Sequence, residues 1–180
     1  MNKITNELIC IEDRDIFLSG EINLTNATAL ACELTRINMF DNQAEQANPN
    51  YERKPIRLYI CSKGGSINDM WFMVDSILNS YTQVYTYCLG YARNEAFIVF
   101  LAGEKRFISK HATLNCNKNF CTEKYGEACL HDLSEIKNFI YDQTLLGEDW
   151  HSVESFGIYY SGSVYPEETS INDGVVDGII

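Results

Sequence analysis

The sequence predicts an α/β fold in a single domain over residues 1–180, and two observations support this prediction. Short apolar segments alternate along the chain with segments whose apolar residues recur every three or four positions, the patterns of strands and helices respectively. Hydrophobic residues make up 46% of the chain and charged residues 22%, close to a globular average, without an internal repeat or a linker. Such alternation favours a parallel sheet with right-handed crossovers.

Four elements are predicted in the first half of the chain. Thr25 is the expected N-cap of the first helix, and Ser66 opens the second helix, where Asp69 places a carboxylate in the first turn. The polar segment 41–55 is rich in Asn and charge and predicts a surface loop. In chain order, the four elements are a strand at 15–18, a helix at 25–37, a strand at 56–61 and a helix at 66–78.

The second half of the chain predicts two helices of different character. The helix at 94–102 is nearly all apolar, so it must be buried. The helix at 130–141 is less apolar, and we expect it to project and to need a partner that covers Leu133, Ile136 and Ile140. The predicted strands of this half are 84–89, 107–108, 113–116 and 175–180.

The charge of the chain argues against polyanionic partners. Acidic residues outnumber basic residues 25 to 14, which gives a formal net charge of −11. A surface that is this negative repels phosphate, so nucleic acids and anionic membranes are disfavoured as partners. The sequence contains no window of eighteen apolar residues, and its first residues lack a signal-peptide core. We therefore expect a cytoplasmic protein.

The cysteine pattern predicts reduced thiols rather than a metal centre. The seven cysteines lie mostly in apolar segments, no CxxC pair occurs, and the three histidines are twenty residues apart. Zinc sites need more closely spaced ligand pairs, and the nearest group is Cys116, Cys121 and Cys129. No metal and no cofactor are expected.

Two strand-to-helix turns have chemical potential. At 64–66, glycines let backbone N–H groups approach a ligand beside a helix N-terminus, although a purely structural turn has the same pattern. At 90–95, Arg93 and Glu95 stand before a buried helix, where they either pair and cap it or serve a site. No phosphate-binding motif is present, so neither turn supports a nucleotide site.

Other nucleophile and base candidates lack a recognisable local motif. Hydroxyl or thiol groups need an adjacent base for activation, and none of these side chains stands in such an arrangement in the sequence. The candidate nucleophiles are Ser66, Ser109 and Cys116, and the candidate bases are His111 and His131.

At the two turns the sequence resembles the proteolytic subunit of the Clp protease, a crotonase-like serine peptidase. Four segments match that family in order and separation, and they span nearly the whole chain. They are RDIFLSG at 14–20, LYICSKGGS at 58–66, the segment 90–107 that contains the family's nucleophile helix, and DGVVD at 173–177. The resemblance implies a crotonase-like α/β fold with a projecting handle helix at 130–146.

The resemblance also places the family's catalytic triad on residues that cannot perform its chemistry. The serine, histidine and aspartate positions fall at Asn94, Asn117 and Gly162. Asparagine has neither an ionisable hydroxyl nor an imidazole that cycles a proton. The segment 90–103 contains no serine, and 113–120 contains no histidine, so a small shift of the alignment restores neither group.

The remaining family positions are kept only in part. The resemblance assigns the oxyanion-hole donors to the backbone N–H groups of Gly65 and Glu95, and a carboxylate at Glu95 opposes a developing oxyanion. It places the peptide groove at Gly64, Gly65, Tyr125 and Gly126.

The resemblance implies a catalytically inactive homologue that assembles into a ring, heptamer-based as in the family. It serves as a structural, regulatory or peptide-binding subunit, with an active Clp proteolytic paralogue or an AAA+ ATPase as possible partners. The alternative is an active serine-type hydrolase with relocated catalytic residues. An acyl-CoA enzyme that uses the same turns is a further alternative, but such a chain is expected to be longer and to present a cationic phosphate site.

Overall fold

The computed structural model describes residues 8–12, 14–116, 130–146, 158–161 and 173–180, and within these ranges eight strands form one sheet. The elements, in chain order, are β1 (Leu8–Glu12), β2 (Asp15–Ile22), α1 (Leu24–Ala47), β3 (Ile56–Gly65), α2 (Ile67–Leu78), β4 (Val84–Arg93), α3 (Glu95–Leu101), β5 (Lys105–Ile108), β6 (Thr113–Cys116), α4 (Leu130–Gln143), β7 (Ile158–Ser161) and β8 (Gly178–Ile179).

The sheet has a parallel centre that divides at β4. Strands β2, β3, β4 and β5 pair in parallel, and β1 joins one edge antiparallel. The first half of β4, from Tyr85 to Cys88, pairs with β5, whereas its last residues, from Tyr91 to Arg93, pair with β6. Gly90 lies between the two halves with a φ of 90°. This division leads the end of β4 away from β5. The predicted α/β fold with a parallel sheet is confirmed.

Helices cover one face of the sheet. Alternate residues of β3 and β4 are buried, as is expected of strands whose side chains alternate between two faces. All seven residues of α3 are buried, which confirms the prediction that this apolar helix lies in the core. The largest side chains that it contributes are Phe97 and Phe100.

Helix α1 differs from its prediction at both ends. Its N-cap is Asn23, not Thr25, because the side chain of Asn23 accepts a hydrogen bond from the backbone N–H of Asn26, whose own side chain accepts from the backbone N–H of Asn23. The helix also continues to Ala47, so the surface loop predicted at 41–55 is wrong in its first seven residues. The buried side chain of Asp41 explains this difference.

Asp41 connects α1 to the residues just before β2 and β4 and to the loop that follows α1. Its carboxylate is fully buried and accepts hydrogen bonds from the guanidinium of Arg14, from the hydroxyl of Thr82 at 2.5 Å and from the hydroxyl of Tyr51 at 2.6 Å. Burial alone raises the pKa of this carboxyl, but the hydrogen bonds from Arg14, Thr82 and Tyr51 outweigh it, and the pKa falls from 3.8 to about 2. A polar residue in a charged segment is therefore part of the interior.

The other predicted elements are confirmed as to type, and their bounds differ. Ser66 caps α2 by accepting from the backbone N–H of Asp69, as predicted. Strands β2, β3 and β4 extend to the turns that follow them, whereas β8 covers only two residues of the predicted strand 175–180. Strands β1 and β7 were not predicted.

The prediction for α4 is wrong in one respect. Ile136 and Ile140 are buried against the chain itself rather than left for a partner, and the ring of Phe139 contacts Trp71 of α2 edge-on, with ring centroids 5.7 Å apart. The side chain of Leu133 lies outside the described residues. The large hydrophobic side chains exposed near the end of α4 are those of Tyr141 and, just after the helix, Leu145.

We predict that Asp41→Asn lowers the free energy of unfolding by roughly 3 kcal/mol, because it removes the charge that compensates the half-buried guanidinium of Arg14. Urea denaturation of the two proteins at neutral pH measures this difference. The control is Glu45→Gln, which removes an exposed carboxylate that pairs with Arg53, and it should change stability little. An equal effect of the two substitutions would contradict the assigned role of Asp41.

The lowered pKa of Asp41 predicts how the stability difference between the parent and Asp41→Asn depends on pH. A carboxyl whose folded-state pKa lies below its unfolded value stabilises the fold above the unfolded value, and this contribution disappears as pH falls through the folded value. The stability difference between the parent and Asp41→Asn should therefore be constant above about pH 5 and narrow from about pH 4 to about pH 2.

Candidate functional site

The turn from β4 into α3 holds Asn94 in a strained conformation. Asn94 has φ 50° and ψ −115°, and it is the one non-glycine residue with a positive φ in the described part of the chain. Its N–H donates to the carbonyl of Asn115 at 2.7 Å, and its carbonyl accepts from the N–H groups of Phe97 and Ile98. Such strain persists only where surrounding bonds impose it, and it is typical of functional turns.

The turn from β4 into α3, residues 93–95, is hereafter the elbow. The predicted turn at 64–66 packs directly against it. Gly64 has a φ of 100°, and a Cβ added to it would lie 2.1 Å from Oε2 of Glu95 and 3.0 Å from the carbonyl oxygen of Arg93. A Cβ on Gly65 would lie 2.0 Å from the carbonyl oxygen of Ile22. Both positions therefore require glycine, and the structure brings the two sequence-predicted turns together.

Glu95 closes the contact between the two turns. Its side chain is buried, and its Oε2 accepts a hydrogen bond from the backbone N–H of Gly65 at 3.1 Å. The N–H that the resemblance assigns as an oxyanion donor is thus already bonded to a carboxylate of the same chain. Arg93, the other charged residue of the elbow, lies with its guanidinium over the ring of Tyr91, 5.1 Å from the ring centroid.

The other proposed nucleophiles have structural roles or an unsuitable setting. The hydroxyl of Ser66 caps α2, and Cys116 is buried in β6. Ser109 and the exposed His111 lie in the turn after β5, where the N–H of Ser109 donates to the carbonyl of Cys88. Among the cysteines, burial raises the pKa of the Cys88 thiol to about 12, which disfavours a reactive thiolate.

Several predicted positions cannot be placed. These positions lie outside the described residues, or, for one of them, only the backbone within α4 is described. They are Asn117, Gly162, Tyr125, Gly126, Cys121 and Cys129, with His131 as the residue whose side chain is not described.

The described ranges contain neither a candidate metal site nor a candidate membrane span. No group of three or more His, Cys, Asp or Glu side chains in these ranges has an arrangement that could hold a metal ion. None of the helices in the same ranges combines the length and the apolar character that a membrane span requires.

An aromatic surface on the sheet was missed by the sequence analysis. Four rings from β2, β3, β4 and β5 form a ladder across the face opposite the helices, with successive centroids 4.6, 5.0 and 5.0 Å apart. The signal was present, because each ring stands at a position that alternates with the buried residues of its strand. The members of this aromatic ladder are Phe17, Tyr59, Tyr87 and Phe107.

Comparison with known proteins identifies one family. A family model described as Clp protease matches residues 1–119. The chain is 25% identical to an ATP-dependent Clp protease proteolytic subunit 1 of Shouchella clausii over 94% of this chain and 86% of that protein. It is 32% identical to a protein of the same description in Rhodopirellula baltica, over 54% of this chain and only 38% of that protein. A proteolytic subunit 2 of Streptomyces avermitilis is 30% identical over 57% of this chain and 47% of that protein.

Solved structures support the same fold. A ClpP1 mutant from Listeria monocytogenes superimposes with a TM-score of 0.73 at 20% identity, over 93% of this chain and 91% of that chain. The catalytic domain of the ClpP protease from Plasmodium falciparum gives a TM-score of 0.72 at 19% identity, over 93% and 85%. At this level of identity the similarity shows the fold alone.

We predict that Glu95→Ala exposes the N–H of Gly65. Without the carboxylate that accepts its hydrogen bond, this amide should exchange with solvent about tenfold faster or more, which hydrogen–deuterium exchange measures. Glu95→Gln keeps a hydrogen-bond acceptor, so the exchange rate of the Gly65 amide in this variant should lie between those of the parent and Glu95→Ala. Glu104→Ala, a change at an exposed carboxylate, should leave this exchange rate unchanged. Unchanged protection of Gly65 in Glu95→Ala would show that another group holds this N–H.

Proposed function

Because the chain belongs to the Clp protease family, we propose that it is a proteolytic-subunit homologue without peptidase activity that serves as a structural, regulatory or peptide-binding ring subunit. The observation that carries this proposal is the elbow itself. It keeps the shape of a nucleophile turn, with the strained φ at Asn94, while its chemistry has changed.

The first chemical change is the missing nucleophile. Acyl transfer needs a group at the elbow that loses a proton and attacks a carbonyl, and a serine hydroxyl performs this step when an imidazole takes its proton. The carboxamide of Asn94 has no such proton to give at neutral pH. The proposed replacement of the histidine and aspartate positions by Asn117 and Gly162 removes the base and its orienting carboxylate as well.

The second change is the occupied donor. An oxyanion hole stabilises negative charge through N–H groups that are free to receive it. Here the N–H of Gly65 donates to the carboxylate of Glu95, so a substrate oxygen must displace an anion that is covalently part of the protein. A negative charge beside the reacting carbonyl also opposes the charge that develops there.

The alternative function is a working serine-type hydrolase with relocated catalytic residues. The elbow segment offers no serine, and Ser66, the serine nearest the glycine turn in sequence, uses its hydroxyl as the cap of α2. Ser109 with His111 is the remaining pair of this kind in the described ranges. An inactive homologue explains both the absence of serine from the elbow and the buried carboxylate of Glu95, whereas an active hydrolase explains neither.

Assembly and partners follow from the family. Members of the Clp protease family form rings and work with AAA+ ATPases. For this chain we propose a heptamer-based ring of identical subunits, with an active proteolytic paralogue or the ATPase as its partner. Two features support a binding role for its surfaces. Tyr141 and Leu145 are exposed at the end of α4, and the aromatic ladder forms a continuous strip of half-buried rings that suits docking of a partner such as the ATPase.

We predict that restoring the triad alone does not restore peptidase activity. The parent should neither react with a fluorophosphonate probe nor cleave fluorogenic peptides. The variant Asn94→Ser/Asn117→His/Gly162→Asp should remain poor, since a triad requires geometry held to a fraction of an ångström. Adding Glu95→Met should raise turnover by about a hundredfold, because a unit charge roughly 6 Å from the oxyanion costs about 2–3 kcal/mol at an effective dielectric of about 20.

The control for this experiment adds Glu104→Met to the triple variant instead, which removes an exposed carboxylate and should not help. Native mass spectrometry checks that every variant keeps the parent assembly. Probe labelling of the parent at a serine contradicts the inactive assignment, and turnover of the triple variant at a typical enzyme rate contradicts the role given to Glu95.

We predict a homo-oligomer at micromolar concentration, with subunit counts in multiples of seven by native mass spectrometry. The double variant Tyr141→Glu/Leu145→Glu should shift the protein to smaller particles, because it places charge on the exposed end of α4. Leu24→Glu, at a similarly exposed leucine on α1, serves as the control and should not. A parent protein that is only monomeric rules out a self-assembling ring.

A further inference from the structure

We propose that Lys63 and Arg93 form a cationic subsite at the mouth of the elbow, and that this subsite selects peptides by a carboxylate. The inference rests on the proposed peptide-binding function and names the chemistry of the peptide that this function takes. Neither residue belongs to the triad positions or to the donor pair.

The sheet places the two cations side by side. Ser62 of β3 pairs with Ala92 of the parallel strand β4, and Lys63 and Arg93 each follow that pair by one residue. Both residues are exposed while the neighbours Ser62 and Ala92 are buried, so the cations share the sheet face opposite the described helices. The close approach of Gly64 to the carbonyl of Arg93 keeps the two strand ends together.

Two like charges in neighbouring positions repel each other unless an anion lies between them. Among the described residues, the ion pairs do not include Lys63 or Arg93. This is unusual in a chain with 25 acidic and 14 basic residues, where the five other arginines all pair with carboxylates. The repulsion is relieved when a ligand brings a carboxylate to this position.

Arg93 is also held in place. Its guanidinium lies over the ring of Tyr91, which stands two residues earlier on the same face of β4. An ordered guanidinium loses less conformational freedom on binding and presents its N–H groups as a fork that matches a carboxylate. Lys63 then adds a second charge from the adjacent strand.

The charges around the pair favour a single carboxylate over a polyanion. Glu21 of β2 is exposed and in register with Gly64, so an acidic group borders the cations on one side. The buried carboxylate of Glu95 lies behind the turn. Together with the net charge of −11, these groups repel a nucleic acid, while two adjacent cations suffice for one carboxylate.

The carboxylate of a peptide is either its C-terminus or the side chain of Asp or Glu, and three labelled peptides of one sequence separate these sources. The first has acidic side chains and an amidated C-terminus, the second neutral amide side chains and a free C-terminus, and the third is neutral and amidated. Fluorescence anisotropy with the intact assembled protein measures the affinity of each peptide.

At low salt, we expect one of the two carboxylate peptides to bind about tenfold more tightly than the neutral amidated peptide. Lys63→Gln/Arg93→Gln should abolish this preference, and Lys54→Gln/Lys110→Gln, which removes two exposed cations elsewhere, should preserve it. Raising the ionic strength from about 0.02 M to about 0.5 M should also reduce it.

Two negative results have different meanings. If the three peptides bind equally well, or if the preference survives Lys63→Gln/Arg93→Gln, the cationic subsite is wrong and the peptide-binding function stands. If none of the peptides binds to the assembled parent protein, the peptide-binding role itself is wrong, and the subsite fails with it.

Discussion

The contact between the glycine turn at 64–65 and the elbow at 93–95 is the constraint on which the site depends. The two turns approach so closely that no Cβ fits at Gly64, and the hydrogen bond from the N–H of Gly65 to Glu95 bridges them. A Cβ at Gly65 is excluded by the backbone of Ile22 in β2. A buried carboxylate is stable only when it receives hydrogen bonds, so the bond satisfies Oε2 of Glu95 while it joins β3 to α3. The close packing of the two turns and the occupied N–H of Gly65 therefore belong to one contact.

The strained elbow persists because the structure around it is rigid. Asn94 is held by the carbonyl of Asn115 on one side and by the first turn of a fully buried helix on the other. These hydrogen bonds use backbone atoms of residue 94, so they do not depend on which side chain stands at that position. This independence of shape and chemistry is why the similarity to Clp proteolytic subunits establishes the fold and leaves activity to be argued from the site.

The two faces of the sheet have separate roles. Helices α1, α2 and α3 bury one face, and this face accounts for nearly the whole core. The opposite face carries the aromatic ladder toward the beginning of the strands and the pair Lys63 and Arg93 toward their ends. Because alternate residues of one strand point to opposite faces, the same segments that build the core also present these surfaces.

The sequence by itself determined the fold class, the order of the central elements and the two turns, since apolar periodicity and glycine placement are local signals. It also showed that the elbow has no serine. Only the tertiary structure decided the partners of charged residues. The sequence places Asp41 in a polar loop, whereas the structure surrounds it with Arg14, Thr82 and Tyr51. The sequence suggests that Glu95 pairs with Arg93, whereas in the structure it accepts a hydrogen bond from the N–H of Gly65. Arg14 and Thr82 lie 27 and 41 positions from Asp41 in the sequence, and Gly65 lies 30 positions from Glu95. Tyr51 is nearer to Asp41, at 10 positions. No local sequence pattern encodes contacts between residues that are so far apart in the chain.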